Sequence, residues 1–480
     1  MNMGQKMDDL IKELEDIVGT QHVQTTGDLG RFEEDWRKRT KGKALAVVSP
    51  KNTVEVSQIV KACLRAKVSI VPQGGNTSMV VGAIPDDTGT QVLLSLTRLN
   101  QVRSIDKDNL TIIVEAGCVL QQVQQTAEGE GFLFPLSLGS QGSCTIGGNL
   151  STNAGGTQVV RYGNARELCL GLEVVTATGD VWHGLSGLRK DNTGYDLRNL
   201  YIGSEGTLGI ITAATLKLYP LPAAKLTAWA AAPNIESAVK LLGLAHKTLG
   251  PSLSGFEMMG QFALSLVDKH FPQLNVPLWK NSAYCVLLEA SDNESEEHAR
   301  SQFENLMQTA LEDEIITDAV IAESIAQAKA LWLIRENITM AQATEGLNIK
   351  HDISIPVSRI ADFVKNTDNL ITQKIKGAAI VNFGHLGDGN LHYNVQAPVG
   401  VDYKDFLRVH EHDINTLVYD SVKEFGGSIS AEHGVGSLKV DTLKDYKDPT
   451  ALNLMRTIKL ALDPTNLMNP GRLINDQYSR

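Results

Sequence analysis

At 480 residues the chain is too long for one ordinary domain, so we expect two or three domains, each with its own hydrophobic core. Its hydrophobic content of 42% and charged content of 21% are those of a soluble globular protein. The net charge of −11 argues against nucleic acid or an acidic membrane as a partner, because binding to a polyanion requires a basic surface.

The cysteines and the first residues indicate a compartment. The five cysteines are scattered, without a Cys-x-x-Cys pair, which is typical of free thiols in a reducing compartment. Residues 1–19 form an acidic amphipathic pattern that does not resemble a signal or transit peptide. No run of about 18 apolar residues could span a membrane. We therefore expect a cytoplasmic protein, with peripheral attachment to a membrane left open.

The first half of the chain alternates strands and helices. A helix is predicted at 7–18, and Asn52 caps a second helix that ends near residue 66. A third helix is predicted at 118–131, and strands are predicted at 44–50, 68–72, 92–96, 110–115, 171–177 and 208–218. This alternation indicates an α/β or α+β domain.

Three glycine-rich loops, at 73–78, 136–156 and 203–209, interrupt these elements. Glycines let backbone N–H groups approach a phosphate, and short Ser, Thr and Asn side chains add donors. Each loop alone would be an ordinary turn, but the three together predict a large phosphate-bearing cofactor. The nicotinamide fingerprint G-x-G-x-x-G and the P-loop motif G-x-x-x-x-G-K-[ST] are both absent, which disfavours those two sites.

The proline-rich residues 219–222 indicate a domain boundary. Beyond it, strands are predicted at 226–231, 283–290, 379–383 and 391–395, and helices at 235–248, 293–312, 323–345, 357–372 and 403–425. This order predicts a second α+β domain with an antiparallel sheet.

The strand pair around Asp388 and Gly389 carries the strongest chemical signal. A two-residue turn there would place His385 opposite His392, with Asn394 on the same face. Opposed side chains have Cβ atoms about 4.5–5.5 Å apart, so both imidazoles could bind one metal ion. The alternative is a polar hairpin with two solvated histidines.

Glu432 and His433 add a carboxylate and a third imidazole. Glu432 would complete a three-ligand site for a divalent metal, which leaves His433 as a base. The opposite assignment stays open, with His433 as the ligand. Adjacent residues on an extended segment point to opposite sides, so both are not expected to be ligands.

Arg335 and Lys350 are candidates for binding an anion. Arg335 and Thr339 share one face of a predicted helix, and Lys350 follows in a strand-like segment. Arginine offers planar bidentate donors to a carboxylate, and lysine adds a point charge. The alternative for Arg335 is a surface ion pair with a nearby carboxylate of the protein itself.

These motifs together resemble a known family. Residues 72–77, 147–156, 161–163 and 195–211 are similar to the FAD domain of the vanillyl-alcohol-oxidase or p-cresol-methylhydroxylase (PCMH) type. Residues 384–392, 431–436 and 469–471 resemble the C-terminal domain of the FAD-linked 2-hydroxyacid dehydrogenases. Residues 189–197, 335–339 and 350–352 are most similar to members that oxidise D-2-hydroxyglutarate.

The resemblance implies an α+β fold with a two-part PCMH-type FAD-binding domain at 1–221, a substrate domain at 222–460 and a segment at 461–480 that returns to the FAD domain. FAD is expected to be non-covalent, because the first loop contains no histidine. The residues expected to bind it are Pro72, Gln73, Gly74, Gly75, Asn76, Thr77, Ser78, Leu138, Gly139, Ser140, Gly142, Thr145, Gly147, Gly148, Asn153, Gly155, Gly156, Tyr162, Gly163, Glu205, Gly206, Gly209, Ile210 and Asn469.

The resemblance also implies a reaction, the oxidation of a D-2-hydroxyacid, with D-2-hydroxyglutarate as the first candidate. Zn²⁺ on His385, His392 and Glu432 would hold the hydroxyl and the near carboxylate, and hydride would pass to the flavin. His433 would bind the substrate and take the hydroxyl proton. The residues expected to hold the substrate carboxylates are Arg335, Thr339, Lys350 and Asn394.

The expected partners are a small 2-hydroxyacid and an electron acceptor such as an electron-transfer flavoprotein or a quinone, with a homodimer left open. The alternatives are a D-lactate or glycolate dehydrogenase and a flavoprotein subunit of a larger electron-transfer complex. A third alternative is a flavin-independent metal hydrolase, because two histidines and a glutamate are also a hydrolase ligand set.

Overall fold

The structure, a computed structural model, describes residues 3–474, so the outermost residues of the predicted first domain and of the predicted C-terminal segment lie outside the described residues. The helices are α1 (Met3–Val18), α2 (Gly30–Glu33), α3 (Thr53–Ala66), α4 (Leu120–Gly129), α5 (Ile146–Ser151), α6 (Val159–Tyr162), α7 (Ala165–Leu168), α8 (Arg198–Tyr201), α9 (Ile235–Leu249), α10 (Gln261–His270), α11 (Glu296–Glu312), α12 (Ile325–Glu345), α13 (Ile360–Lys374), α14 (Tyr403–Glu424), α15 (Val440–Tyr446) and α16 (Pro449–Leu462). Within the described residues, no helix combines the length and the apolar character needed to cross a membrane.

The strands are short in the first half of the chain and longer in the second. They are β1 (Val23–Gln24), β2 (Ala44–Val48), β3 (Ile70–Gln73), β4 (Gln91–Ser95), β5 (Val102–Asp106), β6 (Thr111–Glu115), β7 (Phe132–Leu133), β8 (Cys169–Thr176), β9 (Val181–Gly184), β10 (Gly209–Lys217), β11 (Tyr219–Pro220), β12 (Ala224–Ala232), β13 (Leu253–Gly260), β14 (Tyr284–Asp292), β15 (Asp318–Ile321), β16 (Asn348–Ile349), β17 (Asp352–Ser354), β18 (Ala379–His385) and β19 (Asn390–Gln396).

The predicted start of α3 is confirmed in atomic detail. Asn52 has an extended backbone conformation, and its side-chain oxygen accepts a hydrogen bond from Glu55 N at 2.8 Å. This bond satisfies one of the N–H groups of the first turn that have no partner within the helix. Lys67 ends the helix in the left-handed conformation, with its N–H directed back to Cys63 and Leu64.

By packing, the chain divides into two compact units. The first contains the described residues up to 154, residues 164–220 and the described residues from 433 onward, and the second contains 155–163 and 221–432. Residues 155–163 pack with the second unit because α6 lies on β13 and Arg161 Nη1 donates to Ser291 O at 2.5 Å. The predicted domain limits of 1–221, 222–460 and 461–480 remain a prediction.

The first unit contains two sheets, as expected for a two-part FAD domain. In one sheet the order is β1-β2-β4-β3, with β2 and β3 parallel to β4. In the other the order is β5-β6-β10-β8-β9, and every pairing is antiparallel. Thr53 Oγ1 at the start of α3 donates to Glu173 Oε1 on β8 at 2.6 Å, so a buried hydrogen bond joins the helix of the first sheet to the second sheet.

The second unit is built on an eight-stranded antiparallel sheet with the order β15-β12-β14-β13-β18-β19-β16, and β17 also pairs with β19. The helices α10 and α12 cover one face of this sheet. Trp229, Met259 and Phe383 on that face form a buried core with Leu264 of α10 and Ile338 of α12. The predicted α+β class with an antiparallel sheet is confirmed.

Candidate functional site

The hairpin of β18 and β19 differs from its predicted register. Phe383 is paired with His392, and the strands end at His385 and resume at Asn390, so the loop has four residues rather than two. The predicted pairing of His385 with His392 is therefore wrong. The loop consists of residues 386–389, so Asp388 and Gly389 form its second half. Asp388 Oδ1 accepts a hydrogen bond from Asn390 N at 3.0 Å, as is common for aspartate in a turn.

The two histidines lie on one face of the sheet in the observed register, as they would in the predicted one. The shift is two residues, and side chains alternate with a period of two, so the face is conserved although the partner changes. The rings of His385 and His392 have centroids 5.7 Å apart, and His385 Nε2 lies 3.5 Å from Glu432 Oε1. One donor atom from each of these three residues lies within 4.8 Å of the other two.

Two imidazoles and a carboxylate are a suitable donor set for a catalytic zinc ion that keeps a position open for substrate. Donors about 2.0–2.1 Å from one tetrahedral zinc ion lie roughly 3.4 Å from each other, close to the separation of His385 and Glu432. The residues present therefore fit a divalent metal. Binding of a metal by His385, His392 and Glu432 remains a prediction.

Asp352 on β17 organises the carboxylate side of this cluster. Its Oδ2 accepts from Glu432 N at 2.9 Å, and its Oδ1 accepts from Asn390 Nδ2 at 2.9 Å. Burial raises the pKa of Glu432 to about 7, against the attraction of His385 and with further repulsion from Asp352 and Asp388. A cation among these carboxylates would relieve that repulsion.

Glu257 on β13 contacts two of the predicted site residues but was not itself predicted from the sequence. It is completely buried, its Oε1 lies 2.5 Å from His385 Nδ1, and its Oε2 accepts from Arg335 Nε at 2.7 Å. Burial opposes ionisation of Glu257, yet attraction to His385 and Arg335 lowers its pKa to about 2. Burial likewise opposes the charge on His385, yet attraction to Glu257 and Glu432 raises its pKa to about 9.

The predicted anion-binding residues have different surroundings. Arg335 forms an ion pair with Glu257, but this pair is buried, unlike the surface ion pair that was the alternative to anion binding. Thr339 and Lys350 are exposed. Asn394 is buried, its Oδ1 accepts from His351 N, and its Nδ2 donates to Gln342 Oε1. The roles of Arg335, Thr339, Lys350 and Asn394 toward a substrate remain predictions.

In the first unit, the first glycine-rich loop is held by its amide side chains. Gln73 Nε2 donates to the carbonyl oxygens of Phe32 and Ala83, both at 2.8 Å. Asn76 Nδ2 donates to Glu34 O at 2.9 Å. These hydrogen bonds fix the loop to neighbouring backbone. We therefore expect the loop backbone and the remaining side chains, rather than these two amide nitrogens, to contact a cofactor.

The backbone of this loop is suited to an anionic ligand. The N–H groups of residues 76–78 donate to no acceptor within residues 3–474. A Cβ on Gly74 would overlap Thr145 Oγ1, and one on Gly75 would overlap the carbonyl oxygen of Ser143. Thr145 Oγ1 is itself buried without a hydrogen-bond partner in the described structure. Unpaired donors beside glycines fit the pyrophosphate of FAD.

Glu205 and Asn469 join distant segments of the first unit. The buried Glu205 carboxylate accepts from Val435 N at 2.8 Å and from Gly436 N at 2.7 Å. Burial raises the pKa of Glu205, and these two backbone donors oppose the rise. Asn469 Nδ2 donates to Gly82 O and to Glu205 O. Both side chains, predicted to bind cofactor, therefore have a structural role in this unit.

The other predicted cofactor residues are divided between the two units. Gly155, Gly156, Tyr162 and Gly163 belong to the second unit, and the rest belong to the first. Their contacts with FAD, like those of the loop residues above, remain predictions.

Comparison with known proteins identifies the family. Residues 221–473 match the domain family described as "FAD linked oxidases, C-terminal domain", and residues 44–184 match the family described as "FAD binding domain". A D-2-hydroxyglutarate dehydrogenase of Arabidopsis thaliana is 38% identical over 97% of this chain and 81% of its own length. A putative D-lactate dehydrogenase of Schizosaccharomyces pombe is 36% identical over 95% of this chain and 87% of its own length.

A solved structure of p-cresol methylhydroxylase supports the fold. It is 16% identical to this chain, with a TM-score of 0.74 over 98% of this chain and 96% of its own. At this identity the likeness concerns the fold alone, and it confirms the predicted PCMH type.

The predicted cytoplasmic location is wrong. The names of the Arabidopsis thaliana and Schizosaccharomyces pombe relatives include the word mitochondrial, and this finding contradicts the expectation of a cytoplasmic protein. The prediction relied on the cysteines and on the first residues of the sequence, and neither determines the compartment.

The family match also excludes the flavin-independent hydrolase. An FAD-binding domain and the C-terminal domain of FAD-linked oxidases are both matched along the chain, and two relatives that are similar over 95% or more of it are dehydrogenases of 2-hydroxyacids by name. The chain therefore belongs to the FAD-linked oxidase family, and the predicted class of enzyme, an FAD-dependent hydroxyacid dehydrogenase, is confirmed.

Proposed function

We propose that the chain oxidises D-2-hydroxyglutarate to the corresponding 2-oxo acid, with non-covalent FAD and a divalent metal ion, Zn²⁺, as cofactors. The observation that carries the proposal is the convergence of His385, His392 and Glu432 within 4.8 Å. The substrate is suggested by the name of the Arabidopsis thaliana relative and by the arginine beside the cluster. An electron-transfer flavoprotein or a quinone would accept the electrons.

When bound, FAD supplies a two-electron acceptor, and the metal ion supplies a charge that makes the substrate hydroxyl more acidic. His385, His392 and Glu432 would hold the metal and leave a position for the hydroxyl and the near carboxylate. Removal of the hydroxyl proton is assigned to His433. An imidazole suits this step because its ordinary pKa of about 6.5 is close to the working pH.

The second carboxylate of the substrate is assigned to Arg335 and Lys350. Arg335 is bonded through Nε to Glu257, and its side chain makes no other hydrogen bond within the described residues, so its terminal nitrogens are available to an anion. Lys350 is exposed and lies between β16 and β17, two short strands that both pair with β19. A dicarboxylate would use both cations, whereas D-lactate has one carboxylate only.

Lys350→Ala tests the substrate. The loss of a charge-assisted hydrogen bond, about 1.5–3 kcal/mol, is expected to raise KM for D-2-hydroxyglutarate roughly 10- to 100-fold. KM for D-lactate should change less than about twofold, because that substrate presents no second carboxylate. Steady-state kinetics with an artificial electron acceptor measure both values, and Lys329→Ala, an exposed lysine of α12, is the control.

An equal effect on the two substrates would contradict the role of Lys350 and favour the second candidate, a D-lactate dehydrogenase, which the Schizosaccharomyces pombe relative suggests. Turnover by the purified chain with a dye also separates a complete enzyme from a flavoprotein subunit of a larger complex. A subunit that requires partner chains would remain inactive in that assay.

Gly75→Ala tests the flavin site. The new methyl group would meet the backbone of Ser143 and Cys144, which cannot rotate away, so residues 73–78 must move. We expect FAD affinity to fall at least about tenfold, equivalent to about 1.4 kcal/mol. The flavin absorbance per protein after gel filtration measures the retained FAD.

Gly129→Ala is the matched control, because Gly129 ends α4 and nothing lies within 4 Å of its added Cβ. It should keep the full flavin content. Gly75→Ala protein with normal flavin content would show that the loop does not contact the cofactor. FAD released by acid precipitation of the unmodified chain would support non-covalent binding.

A further inference from the structure

A completely buried carboxylate, Glu257, lies between the predicted metal ligand His385 and the predicted anion ligand Arg335. We propose that Glu257 is a positioning residue that fixes both partners at once. It would hold the His385 ring with Nε2 toward the metal and the Arg335 guanidinium with its terminal nitrogens toward the substrate. This inference rests on the proposed function and extends it to a residue of β13.

The contacts of Glu257 assign one oxygen to each partner. Oε1 lies 2.5 Å from His385 Nδ1, and Oε2 accepts from Arg335 Nε at 2.7 Å. The backbone sets the first contact, because Glu257 is directly paired with His385 across β13 and β18. The second contact ties α12 to the sheet. Removing either partner would leave one oxygen of the buried carboxylate without its hydrogen bond, so the three side chains are expected to keep their places together.

The first contact determines which nitrogen of His385 can bind a metal. A carboxylate oxygen accepts hydrogen bonds, so Nδ1 carries the proton and Nε2 is left for the metal. His385 Nε2 is the nitrogen that lies 3.5 Å from Glu432 Oε1. A carboxylate behind a histidine ligand typically changes metal affinity about 10- to 100-fold when it is removed.

The second contact determines how Arg335 presents its guanidinium. With Nε bonded to Glu257, the guanidinium plane is fixed, and its centre lies 4.9 Å from the Phe383 ring centroid. The Phe383 ring lies 4.9 Å from the His392 ring, on the face of the sheet that carries the predicted metal ligands. A shift of Glu257 would therefore disturb metal binding and anion binding together.

Glu289 on the neighbouring strand β14 offers a matched comparison. It is also buried, and it accepts hydrogen bonds from Trp332 Nε1 of α12 and from Ser254 Oγ, both at 3.1 Å. It thus joins the same helix to the same sheet but contacts no predicted metal or substrate ligand. A role that is merely structural would make Glu257 and Glu289 equivalent.

The test uses the FAD-loaded chain, depleted of metal, with Zn²⁺ as the probe. In Glu257→Gln an amide replaces the carboxylate and cannot accept from both His385 and Arg335. We expect zinc affinity, measured by competition with a chromogenic chelator, to fall about 10- to 100-fold. At saturating zinc, KM for D-2-hydroxyglutarate should stay raised at least about fivefold, because Arg335 is still misaligned.

Glu289→Gln should keep its zinc affinity and its KM within about twofold of the unmodified chain, even if its melting temperature falls. Unchanged zinc affinity in a folded Glu257→Gln protein would overturn the inference, as would equal losses in the two variants. If Glu257→Gln does not fold, Glu257→Asp retains the charge but withdraws the carboxylate from both partners. Zinc affinity unchanged in Glu257→Asp would then overturn the inference.

The failure of this inference can be told apart from the failure of the proposed function. An unmodified chain that binds zinc tightly, together with a Glu257→Gln protein that binds it equally, removes the role of Glu257 only. An unmodified chain that binds no zinc and remains active in chelator removes the metal from the proposed function, and the inference fails with it.

Discussion

Replacing His392 with alanine is expected to reduce the oxidation of D-2-hydroxyglutarate by at least about a thousandfold while FAD remains bound. The change removes one of three donors that lie within 4.8 Å of one another. A metal ion contributes several kcal/mol of charge stabilisation in such a reaction, and about 4 kcal/mol corresponds to a thousandfold in rate. Metal analysis of the dialysed protein and the anaerobic rate of flavin reduction measure the two losses.

His412→Ala is the control for this experiment, because His412 is an exposed histidine of α14 in the same unit. Its metal content and its rate of flavin reduction should match those of the unmodified chain. A His392→Ala protein with normal metal content and normal turnover would favour the alternative of a polar hairpin with solvated histidines. Loss of flavin in His392→Ala would mean that the substitution disturbs more than a metal site.

The hairpin shows which part of a site can be predicted from a local pattern. The alternation of residues 381–395 predicts two strands and the face that carries the histidines, and both predictions are confirmed. The cross-strand partner was not predictable from the turn signal, because Asp388 and Gly389 are also compatible with the longer loop that the structure has. A register error of two residues is therefore harmless for the site, whereas an error of one would have removed it.

Glu257 shows which part of the site could not be predicted. Every residue of β13 is buried, so this strand lacks the alternation that indicates a strand in a sequence. The pairing of β13 with β18 joins residues 257 and 385, and no local pattern specifies so distant a contact. An acidic residue within the apolar run 253–260 was the available signal, because a buried carboxylate requires a partner.

The flavin loops show a different limit. Glycine content predicted where the backbone would approach a ligand. The N–H groups of residues 76–78, which donate to no acceptor in the described part of the chain, agree with that expectation. The same pattern could not separate side chains that shape a loop from those that face a ligand. Gln73, Asn76 and Glu205 direct their polar atoms to the protein backbone, and only three-dimensional contacts reveal it.

Replacing His433 with alanine is expected to reduce kcat/KM for D-2-hydroxyglutarate about 10²- to 10⁴-fold, the usual contribution of a positioned general base. His433 follows Glu432 directly in the chain, so the base would stand beside a predicted metal ligand without being one. Because His433 is not assigned to the metal, His433→Ala should retain zinc and FAD. This retention separates its effect from that of His392→Ala, in which zinc is lost.

The measurement is the anaerobic rate of flavin reduction, with the metal content determined on the same sample. His183→Ala is the control, because His183 is a solvent-exposed histidine of β9 in the first unit. Added imidazole should restore part of the rate to His433→Ala, since a small base can enter the space that the side chain leaves. A loss of zinc in His433→Ala would instead support the opposite assignment, in which His433 is the metal ligand and Glu432 lies behind it. Unchanged flavin reduction would exclude His433 as the base and require another residue to take the hydroxyl proton.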